Sequence, residues 1–392
     1  MNEQNENRQL TLQEKWDIDN EALAKAPWKI ETPQCKMCKY IIPASAYNCL
    51  QYELPDQKPK YVFHIEKECP KFEHKDIMAI LPESKYEEQL LGGILGFAVG
   101  DALGVPAEFT SREEREKDPV LEMRAYGTYD QYFGTWSDDT SMTLCLVESL
   151  QKGYELHDIA EKFCKFYYEA YWTPNNEVFD IGATTVHAIE RMKQGINPVE
   201  CGGSSEKDNG NGSLMRVLPL AFYLRHTDVQ RKIKTIEEVS SLTHAHPRSK
   251  LACIIYVEFA MNLLDHDKQN AYENTIEFIK EYCATNYSAE LKNFDRILDN
   301  DLIRIDERDI RSSGYVIDSL EAAMWTFVTT DNYQDAVFKA INLGGDTDTI
   351  AALAGGLAGI HYGVNSISNN WIQCLARKHD IYKLIMDFCK IA

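Results

Sequence analysis

The chain has 392 residues and a formal net charge of −20, with 44% hydrophobic and 26% charged residues. This length predicts one large domain with a smaller part beside it. The negative charge disfavours phosphate backbones, so we expect no nucleic-acid partner. The first residues lack the apolar core of a signal peptide, and the longest apolar run, about residues 90–100, is too short to span a bilayer. We therefore expect a cytoplasmic protein with no membrane partner.

Residues 1–80 hold four of the eleven cysteines and show little helical periodicity. Thiols of a cytosolic chain normally stay reduced, so a cluster of them suggests a metal rather than disulfides. We expect an N-terminal, cysteine-rich extension that gains its fold from one structural zinc ion. The expected zinc ligands are Cys35, Cys38, Cys49 and Cys69. Two alternatives remain: His64 replaces one thiolate, or the thiols are unrelated and bind no zinc.

Further along the chain, apolar residues recur at helical spacing in segments such as "TLCLVESL", "IAEKFCKFYYEAY" and "LACIIYVEFAMNLL". Runs of alternating polarity are few, so the pattern predicts an all-α fold. Small residues also recur every fourth position in two rows, which places each row on one helix face. The rows are Gly92, Gly96, Gly100 and Gly104, then Ala351, Gly355, Gly359 and Gly363.

The glycines in these rows weaken a helix by about 1 kcal/mol each relative to alanine, so a compensating interaction is expected. We expect both helices to be central and to pack closely against their neighbours or each other. The alternative is that some of the glycines only end a helix, as Gly104 before "VP" would do.

Two stretches, "GTWSDDTSM" and "GGDTDTIAALAGG", place carboxylates beside hydroxyls at the start of an apolar segment. Either stretch alone is typical of a helix N-cap. Together they favour a shared metal site, because oxygen donors without histidine or cysteine suit Mg²⁺ or Mn²⁺. If the two helix starts meet, Asp138, Asp139, Asp346 and Asp348 would repel one another strongly unless about two divalent cations lay between them.

A third carboxylate group lies in "GDALGVPAEF", which contains Asp101 and Glu108. Glu108 follows Pro106, so it is expected on a loop from which a catalytic carboxylate could project. The alternative is an ordinary solvated loop residue.

Five motifs in this order resemble those of the ADP-ribosylglycohydrolases, the family that includes dinitrogenase reductase-activating glycohydrolase. They are "GFAVGDALGVPAEF", "GTWSDDTSM", "NGNGSLMRVLPLAF", "THAHP" and "GGDTDTIAALAGGLAG". The resemblance covers about residues 86–392. It implies an all-helical catalytic domain that holds two Mg²⁺ or Mn²⁺ ions and removes ADP-ribose from modified proteins or small conjugates.

Carried over by motif, the resemblance implies roles for individual residues. The implied metal ligands are Ser137, Asp138, Asp139, Asp346, Asp348 and Thr349. The implied catalytic residues are Glu108, Asp139 and Asp348. The implied substrate-binding residues are Gly182, Thr184, Asn211, Gly212, Ser213, Met215, Arg216 and His244.

Physical arguments bear on part of this substrate-binding set. Glycines in "DNGNGSLMR" would let backbone N–H groups approach a diphosphate, and Ser213 would open a helix whose positive end favours anions. Arg216 either reaches a phosphate or a carboxylate, or forms a structural pair. We expect His244 either to lie beside the bound ligand or to pack within the fold.

The implied reaction is attack of a metal-held water on the anomeric carbon of the distal ribose, with Glu108 as base or as a ligand that switches. An acidic pocket attracts a guanidinium, so we favour the arginine linkage in an ADP-ribosylated protein. The alternatives are hydrolysis of small ADP-ribose conjugates, a non-catalytic relative, and a protein that neutralises an ADP-ribosyltransferase toxin by binding it.

Overall fold

The computed structural model describes residues 80–299 and 302–392. Within these ranges all regular structure is helical, and only three isolated β-bridges pair the backbone in the manner of a sheet. The predicted all-α fold is therefore confirmed. The predicted zinc ligands Cys35, Cys38, Cys49 and Cys69 lie outside the described residues, so the zinc site stays a prediction.

The α-helices of the described ranges vary in length from one turn to about six. They are α1 Lys85–Gly104, α2 Arg112–Lys117, α3 Asp138–Leu150, α4 Leu156–Glu169, α5 Ala183–Lys193, α6 Pro219–Tyr223, α7 Val229–Ser241, α8 Pro247–Asn262, α9 Lys268–Phe278, α10 Asp295–Leu298, α11 Val316–Val328, α12 Tyr333–Asn342, α13 Thr347–Tyr362, α14 Asn369–Cys374 and α15 Lys378–Cys389. Short 3₁₀ turns, including Val105–Ala107, Gly127–Tyr129 and Leu214–Arg216, connect several of them.

Helices α1 and α13 lie antiparallel and in direct contact at the centre of the fold. A Cβ atom added at Gly92, Gly96 or Gly100 would lie closer than 3.0 Å to a backbone carbonyl of α13. Real Cβ atoms essentially never approach an atom this closely, so only glycine permits the contact. The prediction of close packing is confirmed, and the partner of each helix is the other one.

The last members of the two glycine rows differ. Gly104 ends α1, and a Cβ there would collide with the Cα atom of Asp348, so this glycine both ends a helix and permits close packing. Gly363 follows the end of α13 with φ of +79°, and a Cβ there would meet the side chain of Glu88. Gly363 therefore also ends a helix, as the alternative expects of some glycines, because a positive φ at a helix C-terminus favours glycine.

The C-terminal end of α1 also fixes the start of α3. The carboxylate of Asp101 accepts hydrogen bonds from the backbone N–H of Ser137 at 2.9 Å and of Thr140 at 3.0 Å, and from the Thr140 hydroxyl at 2.6 Å. Because α13 begins beside the same end of α1, both acidic helix N-termini are brought to one place.

Within residues 80–299 and 302–392, one helical segment, Lys85–Ala107, is long and apolar enough to cross a membrane by length and composition, and 94% of its apolar window is buried. The expectation that no apolar run reaches this length was therefore wrong. A buried core helix passes the same test, so the segment is weak support for a membrane span. The expected lack of membrane and nucleic-acid partners stays a prediction.

Candidate active site

A cavity with a volume of about 290 Å³ lies where α3 and α13 begin. One wall is acidic and contains Glu108, Asp138, Asp139, Asp180 and Asp346. The remaining lining, here called the neutral wall, is formed mainly by uncharged residues: Gly182, Ala183, Thr184, Thr185, Gly210, Asn211, Gly212, Met215, His244 and Gly314. Phe109, Lys207 and Thr349 complete the lining. The structure thus brings most of the residues implied by motif into one pocket.

Ser137 and Asp348 lie beside this pocket rather than in its lining. Ser137 is the N-cap of α3, and its hydroxyl accepts a hydrogen bond from the N–H of Asp139 at 3.3 Å. Asp348 lies in the first turn of α13, with one carboxylate oxygen accepting from the N–H of Thr349 at 2.8 Å. Both side chains are buried, so they belong to the inner edge of the acidic wall.

Glu108 follows the 3₁₀ turn Val105–Ala107, and the residue is only 3% exposed. Its carbonyl accepts a hydrogen bond from the Thr128 hydroxyl at 2.5 Å, which fixes the backbone at this point. The alternative of a solvated loop residue is therefore wrong. The carboxylate faces the pocket together with the aspartates.

The sequence argument missed Asp180. One carboxylate oxygen from each of Glu108, Asp180 and Asp348 lies within 4.8 Å of the others, an arrangement that could hold a metal ion. Asp180 has a left-handed backbone with φ of +57°, and its carboxylate accepts a hydrogen bond from the hydroxyl of Tyr129. Its place in "DIGATT" was the available signal, because Asp180 lies two residues before Gly182, which the family resemblance already implied as a substrate-binding residue.

Among the described residues of this site, three buried carboxylate oxygens have no hydrogen-bond partner: Glu108 Oε2, Asp139 Oδ2 and Asp348 Oδ2. Burying such an oxygen without a partner costs free energy, so it calls for a ligand or a proton. The surrounding donors are carboxylates and hydroxyls, which are the ligands that Mg²⁺ and Mn²⁺ prefer. The residues of this wall therefore fit divalent cations.

The pKa values of the acidic wall support this interpretation. Burial raises the pKa of Asp138, Asp139 and Asp348 well above the ordinary value, and neighbouring carboxylates raise it further. Burial, followed by the charges of Asp180 and Asp346, raises the pKa of Glu108 to about 10. Without cations, burial and mutual repulsion favour the protonated forms of these groups; bound cations would stabilise the carboxylate forms.

On the neutral wall, His244 lies against the loop that contains Gly210 and Gly212, here called the glycine loop. A Cβ at Gly212 would lie 2.7 Å from His244 Cε1, so the glycine makes room for the imidazole. His244 Nδ1 shares a hydrogen bond of 2.8 Å with the Thr243 hydroxyl. Burial, aided by the charge of Arg216, lowers the pKa of His244 to about 3. The imidazole is therefore neutral, and it both packs against the loop and faces the pocket.

Ser213 does not line the pocket. Its hydroxyl is fully buried and interacts with the hydroxyl of Ser240 at 3.0 Å and the thiol of Cys253 at 3.4 Å. The residues that follow form only the 3₁₀ turn Leu214–Arg216. The expected anion site at a helix N-terminus is corrected, because a single turn has no substantial helix dipole.

Arg216 is also fully buried outside the pocket lining. Its guanidinium donates hydrogen bonds to the carbonyl of Gly212 and to the Thr243 hydroxyl at 2.7 Å, and it lies 4.8 Å from the centre of the Phe163 ring. Of the two alternatives for Arg216, the structural role therefore applies. The side chain does not contact the pocket in which the substrate would bind. From its buried position outside the pocket lining, the side chain holds the glycine loop in place.

Asn211 connects the two walls. Its side-chain amide donates to Asp346 Oδ2 at 2.7 Å and to the Ser319 hydroxyl at 2.9 Å. Gly182 caps α5, and Thr184 follows it in the pocket lining. The residue set implied by motif omitted Thr185, Phe109 and Lys207, which also line the cavity. Lys207 is exposed and belongs to the short turn Glu206–Asp208.

Comparison with known proteins decides the family. The sequence model of the ADP-ribosylglycohydrolase family matches residues 82–392. The chain belongs to the ADP-ribosylglycohydrolase family. The resemblance inferred from the five motifs is thereby confirmed. Members of this family are hydrolases that act on glycosyl linkages of ADP-ribose, so the ADP-ribosylglycohydrolase described here is an enzyme.

Several curated relatives are similar over most of this ADP-ribosylglycohydrolase. ADP-ribosylarginine hydrolase Tri1 of Serratia proteamaculans is 34% identical over 78% of this chain and 80% of its own length. The protein of the same name from Pseudomonas putida is 31% identical, covering 76% of each chain. ADP-ribosyl-[dinitrogen reductase] glycohydrolase of Rhodospirillum rubrum is 30% identical over 74% of this chain and 91% of its own.

A solved structure supports the fold. The chain described as an "ADP-ribosylglycohydrolase-related protein complex" is 27% identical and superposes with a TM-score of 0.66. The match covers 78% of this chain and 99% of the solved one.

Proposed function

We propose that this enzyme requires two divalent cations, Mg²⁺ or Mn²⁺, and removes ADP-ribose from arginine side chains of modified proteins. The observation that carries the proposal is the buried acidic wall, where two helix N-termini and Glu108 converge with three unpartnered carboxylate oxygens. The similarity to two proteins named ADP-ribosylarginine hydrolase supports the choice of linkage.

The cations would be held by side chains at the starts of α3 and α13. These side chains are Ser137, Asp138, Asp139, Asp346, Asp348 and Thr349, with Asp180 and Glu108 beside them. When bound, such ions would offset part of the negative charge of the carboxylates, acidify a water molecule and orient hydroxyls of the sugar.

The two walls suit the two ends of ADP-ribose. Gly210 and Gly212 allow a diphosphate to approach the backbone of the neutral wall, and Lys207 supplies a positive charge nearby. The distal ribose would then extend toward the carboxylates of the acidic wall. This orientation places the glycosidic bond beside Glu108.

The reaction breaks the bond between the anomeric carbon and a guanidine nitrogen and forms a new bond to a water oxygen. Glu108 Oε2 is buried and has no protein partner, so it can accept the proton of the attacking water. The same oxygen would return this proton to the departing nitrogen, which leaves as a guanidinium. The carboxylates around it would stabilise positive charge that develops at the anomeric carbon.

The negative charge of the acidic wall also favours binding of a guanidinium leaving group. A guanidinium is planar and positively charged, so carboxylates attract it, whereas a serine hydroxyl is neutral. We therefore expect the arginine-linked peptide to be cleaved at least about tenfold faster than the serine-linked peptide, a difference of roughly 1.4 kcal/mol in transition-state stabilisation.

The test is incubation of the full chain with defined arginine-linked and serine-linked ADP-ribosyl peptides. Each is run with Mg²⁺, with Mn²⁺ and with excess chelator, and released ADP-ribose is measured by mass spectrometry. The proposal predicts release from the arginine peptide that stops in chelator and returns when metal is restored. Equal cleavage of both peptides would refute the linkage preference, and full activity in chelator would refute the metal requirement.

A further inference from the structure

An exposed aromatic ring stands at the mouth of the active-site pocket. Phe109 is 69% exposed and lines the cavity directly after Glu108. Among the exposed large hydrophobic side chains of residues 80–299 and 302–392, Phe109 is the one that lines this pocket. A large apolar side chain in water at the opening of a polar site requires an explanation.

The backbone at Phe109 makes the choice of residue more unusual. Its φ is +59°, in the left-handed region that side chains with a Cβ rarely adopt. Glycine would adopt this conformation without strain. Strained residues of this kind cluster at functional sites. Because the ring gains little burial in return, its value must lie in what it contacts outside the fold.

Two backbone hydrogen bonds fix the peptide segment that carries the ring. The Phe109 N–H donates to the carbonyl of Gly345 at 2.7 Å, and the Gly345 N–H donates to the carbonyl of Thr110 at 2.8 Å. These bonds join the segment after Glu108 to the turn that precedes Asp346. The backbone that carries the ring is therefore fixed beside the start of the acidic segment at Asp346.

Phe109 begins a row of three aromatic residues, and the row lies beside Asp180 of this wall. Its ring lies edge to face with Tyr129, with centres 6.4 Å apart, and Tyr129 lies 5.1 Å from Phe179. The hydroxyl of Tyr129 donates to Asp180, so the row is anchored to a carboxylate of the site. The row belongs to the acidic side of the pocket, where the glycosidic bond is expected, whereas Lys207 and the glycine loop supply the diphosphate side.

We propose that Phe109 is a specificity-determining residue whose ring face receives the guanidinium of ADP-ribosylated arginine. The inference rests on the proposed function and adds the contact that recognises the leaving group. A planar cation stacks favourably on an aromatic face, and nearby carboxylates strengthen its attraction to this side of the pocket. A serine linkage has neither the charge nor the plane, so it gains nothing from the ring.

The test uses four variants of the full chain and the arginine-linked peptide. Phe109→Ala removes the ring but keeps a Cβ, so the backbone strain is the same as in the wild type. We expect kcat/KM to fall about fivefold through a higher KM, while the Kd of free ADP-ribose, measured by calorimetry, changes less than about twofold. Phe109→Trp should restore KM, and Phe109→Leu, which is apolar without an aromatic face, should not.

The matched control is Tyr282→Ala, which removes an exposed aromatic side chain that does not line the pocket. We expect this variant to keep wild-type kinetics. Unchanged kinetics in Phe109→Ala, or full rescue by Phe109→Leu, would overturn the inference while leaving the proposed function intact. An equal loss of affinity for free ADP-ribose would also overturn it, because the ring would then contact the nucleotide. Failure of the wild type to cleave the arginine peptide would overturn the proposed function itself.

Discussion

The two acidic helix N-termini contain the same types of residue but are held in place by different interactions. At α3, the carboxylate of Asp101 comes from α1 and accepts the N–H groups of Ser137 and Thr140. At α13, Asp346 makes no side-chain cap, and its carboxylate accepts instead from Asn211. One terminus is thus fixed by hydrogen bonds to a neighbouring carboxylate.

The other terminus is fixed by backbone shape and close packing. Gly344 and Gly345 precede α13 with φ of +71° and +75°, and the Asp346 N–H donates to the carbonyl of Ser312 at 2.8 Å. Gly104 allows the backbone of Asp348 to lie against the end of α1. In both cases other groups hold the helix end, which leaves Asp139 Oδ2 and Asp348 Oδ2 without protein partners. Two similar sequence stretches are therefore held at one site by different interactions, hydrogen bonds at α3 and close packing at α13.

Removing a carboxylate of the site should have the largest effect. Asp139→Asn keeps the size of the side chain but removes its charge, so we expect kcat/KM to fall at least about a thousandfold together with loss of Mn²⁺ binding. The far-ultraviolet circular dichroism spectrum should remain helical. Enzyme assays on the arginine-linked peptide and calorimetric titration with Mn²⁺ provide the measurement.

Asp228→Asn is the matched control for this change. Asp228 is an aspartate at another helix N-terminus, where it is the N-cap and its carboxylate accepts from the Arg231 N–H at 3.0 Å, but it lies outside the pocket lining. Asparagine caps a helix about as well as aspartate, so activity should remain at the wild-type level. Equal losses in both variants would mean that the helix start, and not the charge at the site, determines activity.

The comparison also shows what sequence alone could predict. Repeated acid and hydroxyl pairs at two helix starts predicted a shared metal site for Asp138, Asp139 and Asp346 on the condition that the two starts meet, and the structure brings these side chains into one pocket. The glycine rows predicted close packing of α1 and α13, because spacing along a helix determines which residues share a face. Each pattern is read from residues close together in the chain, although the helices that meet are far apart in sequence.

Features that depend on distant residues were not predictable in this way. Arg216 is structural because Thr243 and Val239, more than twenty positions away, accept its hydrogen bonds. Asp180 is part of the acidic cluster through a left-handed loop that no periodicity indicates. Phe109 lies at the pocket mouth because its backbone N–H donates a hydrogen bond to the carbonyl of Gly345, which is far away in the sequence.

The packing of the second terminus can be broken at Gly104. In Gly104→Ala the new methyl group would collide with the backbone of Asp348, and backbone can give way less easily than a flexible side chain. We expect a loss of about 2–3 kcal/mol in the free energy of unfolding and at least about a tenfold loss of activity. Urea denaturation and peptide cleavage measure the two effects.

Gly182→Ala gives the matched stability control. No atom lies within 4 Å of a Cβ added at Gly182, and its φ of −66° suits any residue. The free energy of unfolding should therefore change by no more than about 0.5 kcal/mol. If Gly104→Ala were equally harmless, close packing would not be what holds the start of α13.

The hydrogen bonds of the first terminus can be broken at Asp101. Asp101→Asn replaces one acceptor oxygen by an amide that faces the N–H of Thr140, so this buried donor loses its partner. We expect a smaller loss of about 1–2 kcal/mol in unfolding free energy and weaker Mn²⁺ binding. Stability unchanged within error, with normal metal affinity, would contradict the anchoring role of Asp101.

The central claim is that both termini bind cations together in one site. Its most direct test is titration of metal-free, full-length enzyme with Mn²⁺, with bound ions counted by calorimetry and their proximity read by electron paramagnetic resonance. The account predicts two Mn²⁺ ions per chain at this site, with spins coupled to each other, and a loss of both coupling and turnover in Asp139→Asn and in Asp346→Asn alike. Binding of a single uncoupled ion, or turnover that survives complete removal of metal, would contradict it.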